Sequence, residues 1–236
     1  MSKLNISAAS LPSYKMTLPV TNQVITFRPF VVREEKVLLI ALQSANQTQI
    51  SDALRNVIMT CTNSTLDTKK IGVAEAEYAF LQIRSKSIGE LAKPQVSCSK
   101  CSHATTIKIR LDAIEMKKSV KEFVNPNISL SSEVSVVMRY PTIHDASLSA
   151  GEVETAFQLV EQCIDSIIVK DEKISKSDIT SKELNDFIEN LLPDQFVLLL
   201  NFLKSTPELE YKINYKCPNC SGDVFVEVDT ITNFFQ

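Results

Sequence analysis

The chain has 236 residues, a mass of 26.3 kDa and a net charge of −3. That length suits one large domain or two small ones, and an acidic pI of about 5.6 argues against a general nucleic-acid binder, which needs a basic face. Four glycines leave little room for a Gly-rich phosphate loop, and two histidines, His103 and His144, starve any histidine-based metal or catalytic cluster. The first residues carry no apolar core and no small-residue cleavage site, so no secretory signal is expected. No window reaches the ~18 consecutive apolar residues of a membrane span. The expectation is a soluble protein of a reducing cytoplasm, with its six cysteines as thiols or metal ligands rather than disulfides.

Residues 1–13 read as an arm. Tyr14, Met16 and Leu18 alternate with polar residues, and Ile25 and Phe27 do the same after the polar turn 19–23. Two short alternating runs around a turn predict a hairpin, closed by Pro29. The period then changes. Residues 31–43 place Glu34 and Glu35 in a first helical turn, where acids suit the helix dipole. Ile50, Ala53, Leu54, Val57, Ile58 and Cys61 follow the 3.6-residue period of an amphipathic helix. A third helix over about 73–91 has apolar residues on more than one stripe and should be buried on two sides.

Period two returns at 95–111 and 133–140, with Pro126 marking a loop between them. A helix is predicted over about 152–168, from Val153, Ala156, Phe157, Val160, Ile164 and Ile167. Cys61 and Cys163 lie on or beside core faces and read as small buried hydrophobes. His144 and Asp145 are adjacent, and Asp145 reads as a cap rather than half of a catalytic pair. The charged run 169–176 reads as a solvated loop or hairpin. Thr180 and Glu183 have capping-box spacing, and Pro193 sits at a favoured first helical position. The helix over Phe196–Leu203 is apolar nearly all round, so it is buried in its own core or covered by a partner. Leu209, Tyr211, Ile213 and Tyr215, then Val224, Val226 and Val228, return to strand.

The strongest chemical signal is Cys98 and Cys101 with Cys217 and Cys220, two C-x-x-C turns in matching β contexts. Two such turns complete a tetrahedron of thiolates around one zinc ion. The pairs are 115 residues apart, against ~15–20 in a compact site, so the intervening helices would be an insertion between two halves of one zinc-ribbon-like unit. Loop-closure entropy grows slowly enough with length to permit this. Two metal-free thiol pairs, or local disulfides, are the alternatives. Four thiolates leave no open position for water, so such a zinc ion is structural, and His103 reads as a surface residue or one just outside the ligands.

The runs Tyr14-Lys15-Met16-Thr17-Leu18-Pro19, Phe27-Arg28-Pro29-Phe30 and Arg33-Glu34-Glu35-Lys36-Val37-Leu38, with the stretch Ala79 to Glu90 and the C-x-x-C pair after it, resemble the baseplate hub assembly proteins and hub subunits of T-even-type contractile-tailed bacteriophages. The resemblance implies a non-enzymatic component of the virion tail baseplate, present in host cytoplasm during assembly. Its partners would be other baseplate and hub proteins, with no membrane or small-molecule substrate. Candidate partner-binding residues are Arg28, Arg33, Arg84 and Lys86 as a polar rim, and Phe234 and Phe235 as apolar anchors, unless those two fold back onto their own sheet. A cellular zinc-ribbon adaptor contacting nucleic acid or a multi-subunit complex is the alternative. The expected architecture is α+β. It comprises the arm at 1–13, a hairpin plus three-helix domain at 14–94, and a zinc-ribbon-like unit at 95–140 and 205–236 interrupted by helices at about 150–204.

Overall fold

The computed structural model describes residues 11–93, 95–111, 114–116, 125–143, 145 and 153–228. In chain order the elements are β1 (Tyr14–Thr17), β2 (Val24–Phe27), α1 (Val32–Gln43), α2 (Gln47–Cys61), α3 (Val73–Ser87), β3 (Leu91–Ala92), β4 (Gln95–Ser97), β5 (Ala104–Thr106), β6 (Ile109–Arg110), β7 (Glu115–Met116), β8 (Asn127–Ser129), β9 (Val134–Met138), α4 (Val153–Cys163), β10 (Ile164–Val169), β11 (Glu172–Ser175), α5 (Ser181–Glu189), α6 (Pro193–Lys204), β12 (Leu209–Lys216) and β13 (Asp223–Val228). Among the described residues all strand pairs are antiparallel. The fold is α+β, as the mixed periodicity predicts.

The chain forms two compact units. Of the described residues, the first gathers those within 11–68, 74–116 and 208–228, and the second those within 69–73 and 125–207. In the first, β1 and β2 pair with Tyr14 opposite Phe27, their rings 5.8 Å apart. Met16, Leu18, Ile25 and Phe27 turn inward, as the alternation requires. Glu75, in the first turn of α3, is 2 % exposed and holds the hairpin tip. Its Oε1 accepts from the Val20 N–H at 3.0 Å, the Thr21 N–H at 2.6 Å and the Thr21 hydroxyl at 2.9 Å. Glu75→Ala should cost about 1–3 kcal/mol, because it strips three donors of their acceptor. Chemical denaturation should register the loss, with faster amide exchange at Val20 and Thr21, and Glu75→Gln should recover most of it.

Glu34 is the corresponding device on α1. Its carboxylate accepts from the Val31 N–H at 2.8 Å and pairs with Arg28 and Arg33, each at 3.1 Å. Burial alone would raise the Glu34 carboxyl, but these donors outweigh it and hold it below the ordinary range. Helix α3 is buried on two sides, with Ala76, Ala79, Phe80, Leu81 and Ile83 all at or near zero exposure. It ends at Ser87 rather than 91, because Gly89 takes φ +133°, a conformation that L side chains rarely adopt. The period-two stretch 95–111 divides among short strands: β5 pairs with β4, and β6 with β3. Ile107, Ile109 and Leu111 nevertheless share one core with Leu81, Ala92 and Ile114.

The second unit is a four-stranded sheet in the order β11-β10-β9-β8, with α4, α5 and α6. Its core joins Val136, Met138, Val160, Cys163, Ile164, Ile167, Leu184, Ile188, Leu199 and Phe202. Two findings differ from the sequence reading. The helix expected through Ile168 stops at Cys163, and Ile164–Val169 is a strand between β9 and β11. Consecutive β-branched residues favour that strand. The helix end is completed from a distance. The Gln162 carbonyl accepts from Arg139 at 2.9 Å, and Lys176 reaches the Glu161 and Gln162 carbonyls at 2.7 and 3.0 Å. The second difference follows from the first. With β10 as partner, β8 and β9 belong to this unit and not to the cysteine-bearing one.

Thr180 and Glu183 form the capping box that their spacing predicts, and Pro193 opens α6 at its first turn. Leu199 and Phe202 of α6 enter the core, while Val197 and Leu198 stay 47 % and 44 % exposed. Cys61 and Cys163 are fully buried, which pushes their thiols up to about 11 and about 12. Among the described residues no helix is long and apolar enough to cross a membrane.

Candidate metal centre

Each cysteine pair sits at the tip of a two-stranded hairpin. Cys98 and Cys101 join β4 to β5, and Cys217 and Cys220 join β12 to β13. The two turns repeat one hydrogen-bond pattern. The Cys98 N–H donates to the His103 carbonyl at 2.9 Å, and the Cys217 N–H to the Gly222 carbonyl at 3.0 Å. The Ser102 N–H returns to the Cys98 carbonyl at 2.8 Å, and the Ser221 N–H to the Cys217 carbonyl at 2.9 Å. Ser102 and Ser221 both take a positive φ, 56° and 54°. That left-handed step turns the chain back and directs amides at sulfur.

The turns bring the four sulfurs within 4.8 Å of one another. Cys98 Sγ lies 3.8 Å from Cys220 Sγ, and Cys101 Sγ lies 3.7 Å from Cys217 Sγ. A tetrahedral zinc with bonds of about 2.3 Å has S···S edges of about 3.8 Å, so the donor set fits one such ion. All six cysteines are free thiols. Cys98 and Cys217 are buried, Cys101 is half-buried and Cys220 exposed.

Amides surround the sulfurs. The Lys100 N–H points at Cys98 Sγ at 3.4 Å, and the Asn219 side-chain amide at Cys101 Sγ at 3.6 Å. The His103 N–H, then Asn219, hold the Cys101 thiol down at about 6. The Gly222 N–H favours the Cys220 thiolate, but its sulfur neighbours, Cys101 first, push that thiol up to about 11. Negative charges this close together oppose one another. Four thiolates at this spacing require a cation among them. His103 is exposed and serves the site through its backbone, not its imidazole.

Tyr215 ties the centre to the rest of its unit. It packs against Cys98, Cys217 and Val224 on one side and against the Leu81–Ile109 core on the other. Neither its role nor those of Lys100, Asn219 and Gly222 is signalled by the C-x-x-C spacing. The only local cue is a small polar residue after each second cysteine.

The described members of the expected partner-binding set differ in exposure. Arg33 is 79 % exposed at its side chain, and Lys86 lies over the Tyr14 ring at 5.8 Å while bonding Glu90 at 2.7 Å. Arg28 turns inward instead, bonding the Pro29 carbonyl at 2.8 Å and Glu34. Arg84 is 5 % exposed, with its Nε and Nη1 unpartnered among the described residues. Both guanidiniums are thus largely withdrawn from solvent. Phe234, Phe235 and His144 lie outside the described residues.

Asp145 is the cap that its sequence position suggests. Its Oδ2 accepts from the Thr142 N–H and hydroxyl at 2.8 and 2.7 Å and pairs with Arg139 at 2.6 Å. Burial would raise its carboxyl, but Arg139 and Thr142 together hold it below the ordinary range.

A family model described as T4 bacteriophage base plate protein matches residues 11–236. The baseplate hub assembly protein gp26 of Enterobacteria phage T4 is 22 % identical over 223 residues, covering 94 % of this chain and 98 % of that protein. No solved structure matches. The match runs through the hairpin, the described helices and both cysteine hairpins, and on it the chain belongs to the T4 bacteriophage base plate protein family.

Proposed function

We propose that this chain is a structural or assembly component of a contractile-tail baseplate hub. It acts by binding other baseplate proteins, and one zinc ion held by Cys98, Cys101, Cys217 and Cys220 stabilises its zinc-ribbon-like hairpins. The family match over nearly the whole chain carries the first statement, and the four clustered sulfurs support the second. Zinc here supplies a cross-link between two distant chain segments. With four protein ligands it has no position left for water or substrate, so its role is structural rather than catalytic. A depression of about 410 Å³ is lined by Phe157, Gln158, Glu161, Asn185, Ile188 and Glu189, a set with two carboxylates but no nucleophile. We place the protein in the virion tail baseplate, and in host cytoplasm while the baseplate is assembled.

Co-expression with each hub and spike-bearing tail protein of the same phage, followed by size-exclusion chromatography, tests the reading. A stable complex with at least one of them is expected. A chain that stays alone with all of them, yet shifts on adding single-stranded DNA or RNA at physiological salt, would favour a nucleic-acid adaptor instead.

A further inference from the structure

Lys100 stands between the two cysteines of the first hairpin, and its side chain crosses to the second. Its Cδ lies 2.8 Å, and its Nζ 3.2 Å, from the point where a Cβ would stand at Gly222. Cys220 Sγ lies 3.4 Å from that same point. Ammonium, stem and sulfur thus gather around a space that only glycine leaves open. Four thiolates around a divalent cation carry excess negative charge. The amides of Lys100, His103, Asn219 and Gly222 stabilise that charge as dipoles, without a full positive charge of their own.

We propose that Lys100 is a positioning residue of the metal site. Its ammonium offsets the excess charge of the loaded thiolates, and residue 222 is glycine so that the lysine stem can pass between the hairpins. This inference rests on the metal reading above. The fixed charge lowers the free energy of the thiolate form and raises metal affinity, as partners outside the ligand shell do elsewhere. Because the contact bridges the hairpins, it also favours the closed arrangement of all four sulfurs.

The test measures zinc affinity of the full chain by competition with a chromophoric chelator, at 0.1 M and 1 M salt (chosen as about 10 Å and about 3 Å Debye lengths). Lys100→Met keeps an apolar stem and removes the charge. It should weaken binding about tenfold at the lower salt and converge on the wild type at the higher. Lys100→Arg should bind like the wild type. Gly222→Ala, by displacing the lysine, should reproduce Lys100→Met, and the double variant should lose nothing further. Thermal melting of the loaded variants confirms that each is folded. Equal affinity of Lys100→Met and wild type would overturn the proposal, as would a loss of the same size at both salts, which marks packing rather than charge. If the wild type takes up no zinc, the metal reading itself fails and this inference falls with it.

Discussion

Cys217→Ser should strip the protein of metal and unfold its cysteine hairpins. A structural zinc contributes about 10–16 kcal/mol of apparent binding free energy at neutral pH, and an incomplete shell forfeits much of it. The first unit has an apolar core of its own, so a loss on the order of 5 kcal/mol is expected rather than the whole. The damage should spread along a defined route. Tyr215 contacts both the sulfur cluster and the core of Leu81, Ala92, Ile107 and Ile109, so α3 loses a packing partner when β12 and β13 loosen. Hydrogen exchange should therefore accelerate in β4, β5, β12, β13 and then α3. Strands β9 and β10, which pack in the other unit, should keep their protection. A chelator should reproduce the pattern in the wild type and add nothing in the variant. Cys163→Ala should give the opposite map: a cavity in the second unit, insensitive to chelator.

Asp145→Ala should cost about 2–3 kcal/mol, concentrated in the second unit. The carboxylate is 6 % exposed and satisfies the Thr142 N–H, the Thr142 hydroxyl and the Arg139 guanidinium. Breaking a fully buried pair costs about 3–5 kcal/mol. Arg139 is 35 % exposed, and water at that side reduces the figure. Arg139 also caps α4 through Gln162, so its displacement should fray the end of that helix. The folded Asp145 carboxyl titrates below its unfolded value. Its stabilisation is therefore fully present above the unfolded range, near ~3.9, and is lost as pH falls through the folded value. The wild type should lose stability over that acid window, and Asp145→Asn should show a flatter profile there. Glu34 is shifted in the same direction and adds to the acid sensitivity from the first unit.

Local chemistry was legible in the sequence wherever one segment decides its own structure. The β1–β2 hairpin, α2, the Thr180 capping box and the Pro193 helix start all follow from spacing within a few residues. The four cysteines were legible for the same reason, since each C-x-x-C turn is a local device and the pairs match. What escaped was settled between distant segments. Ile164–Val169 fits a helical stripe and a strand equally well, and β9, Arg139 and Lys176 decide the matter from elsewhere in the chain. Only with that strand in place do β8 and β9 have a neighbour, in the second unit rather than beside the cysteines. Arg28 and Arg84 read as surface charges because residue type carries no record of burial. Glu34 and the helical core, respectively, draw them inward. Lys100 and Gly222 gain meaning only when two turns more than a hundred residues apart are brought together.

Native mass spectrometry of this chain, co-expressed with the hub proteins of its phage and purified without chelator, reads binding and metal in one spectrum. The expected spectrum contains a complex with at least one hub protein, in which every copy of this chain carries one zinc ion. A chain found alone and free of zinc, or bound to a hub protein with its four clustered cysteines oxidised in pairs, would contradict it.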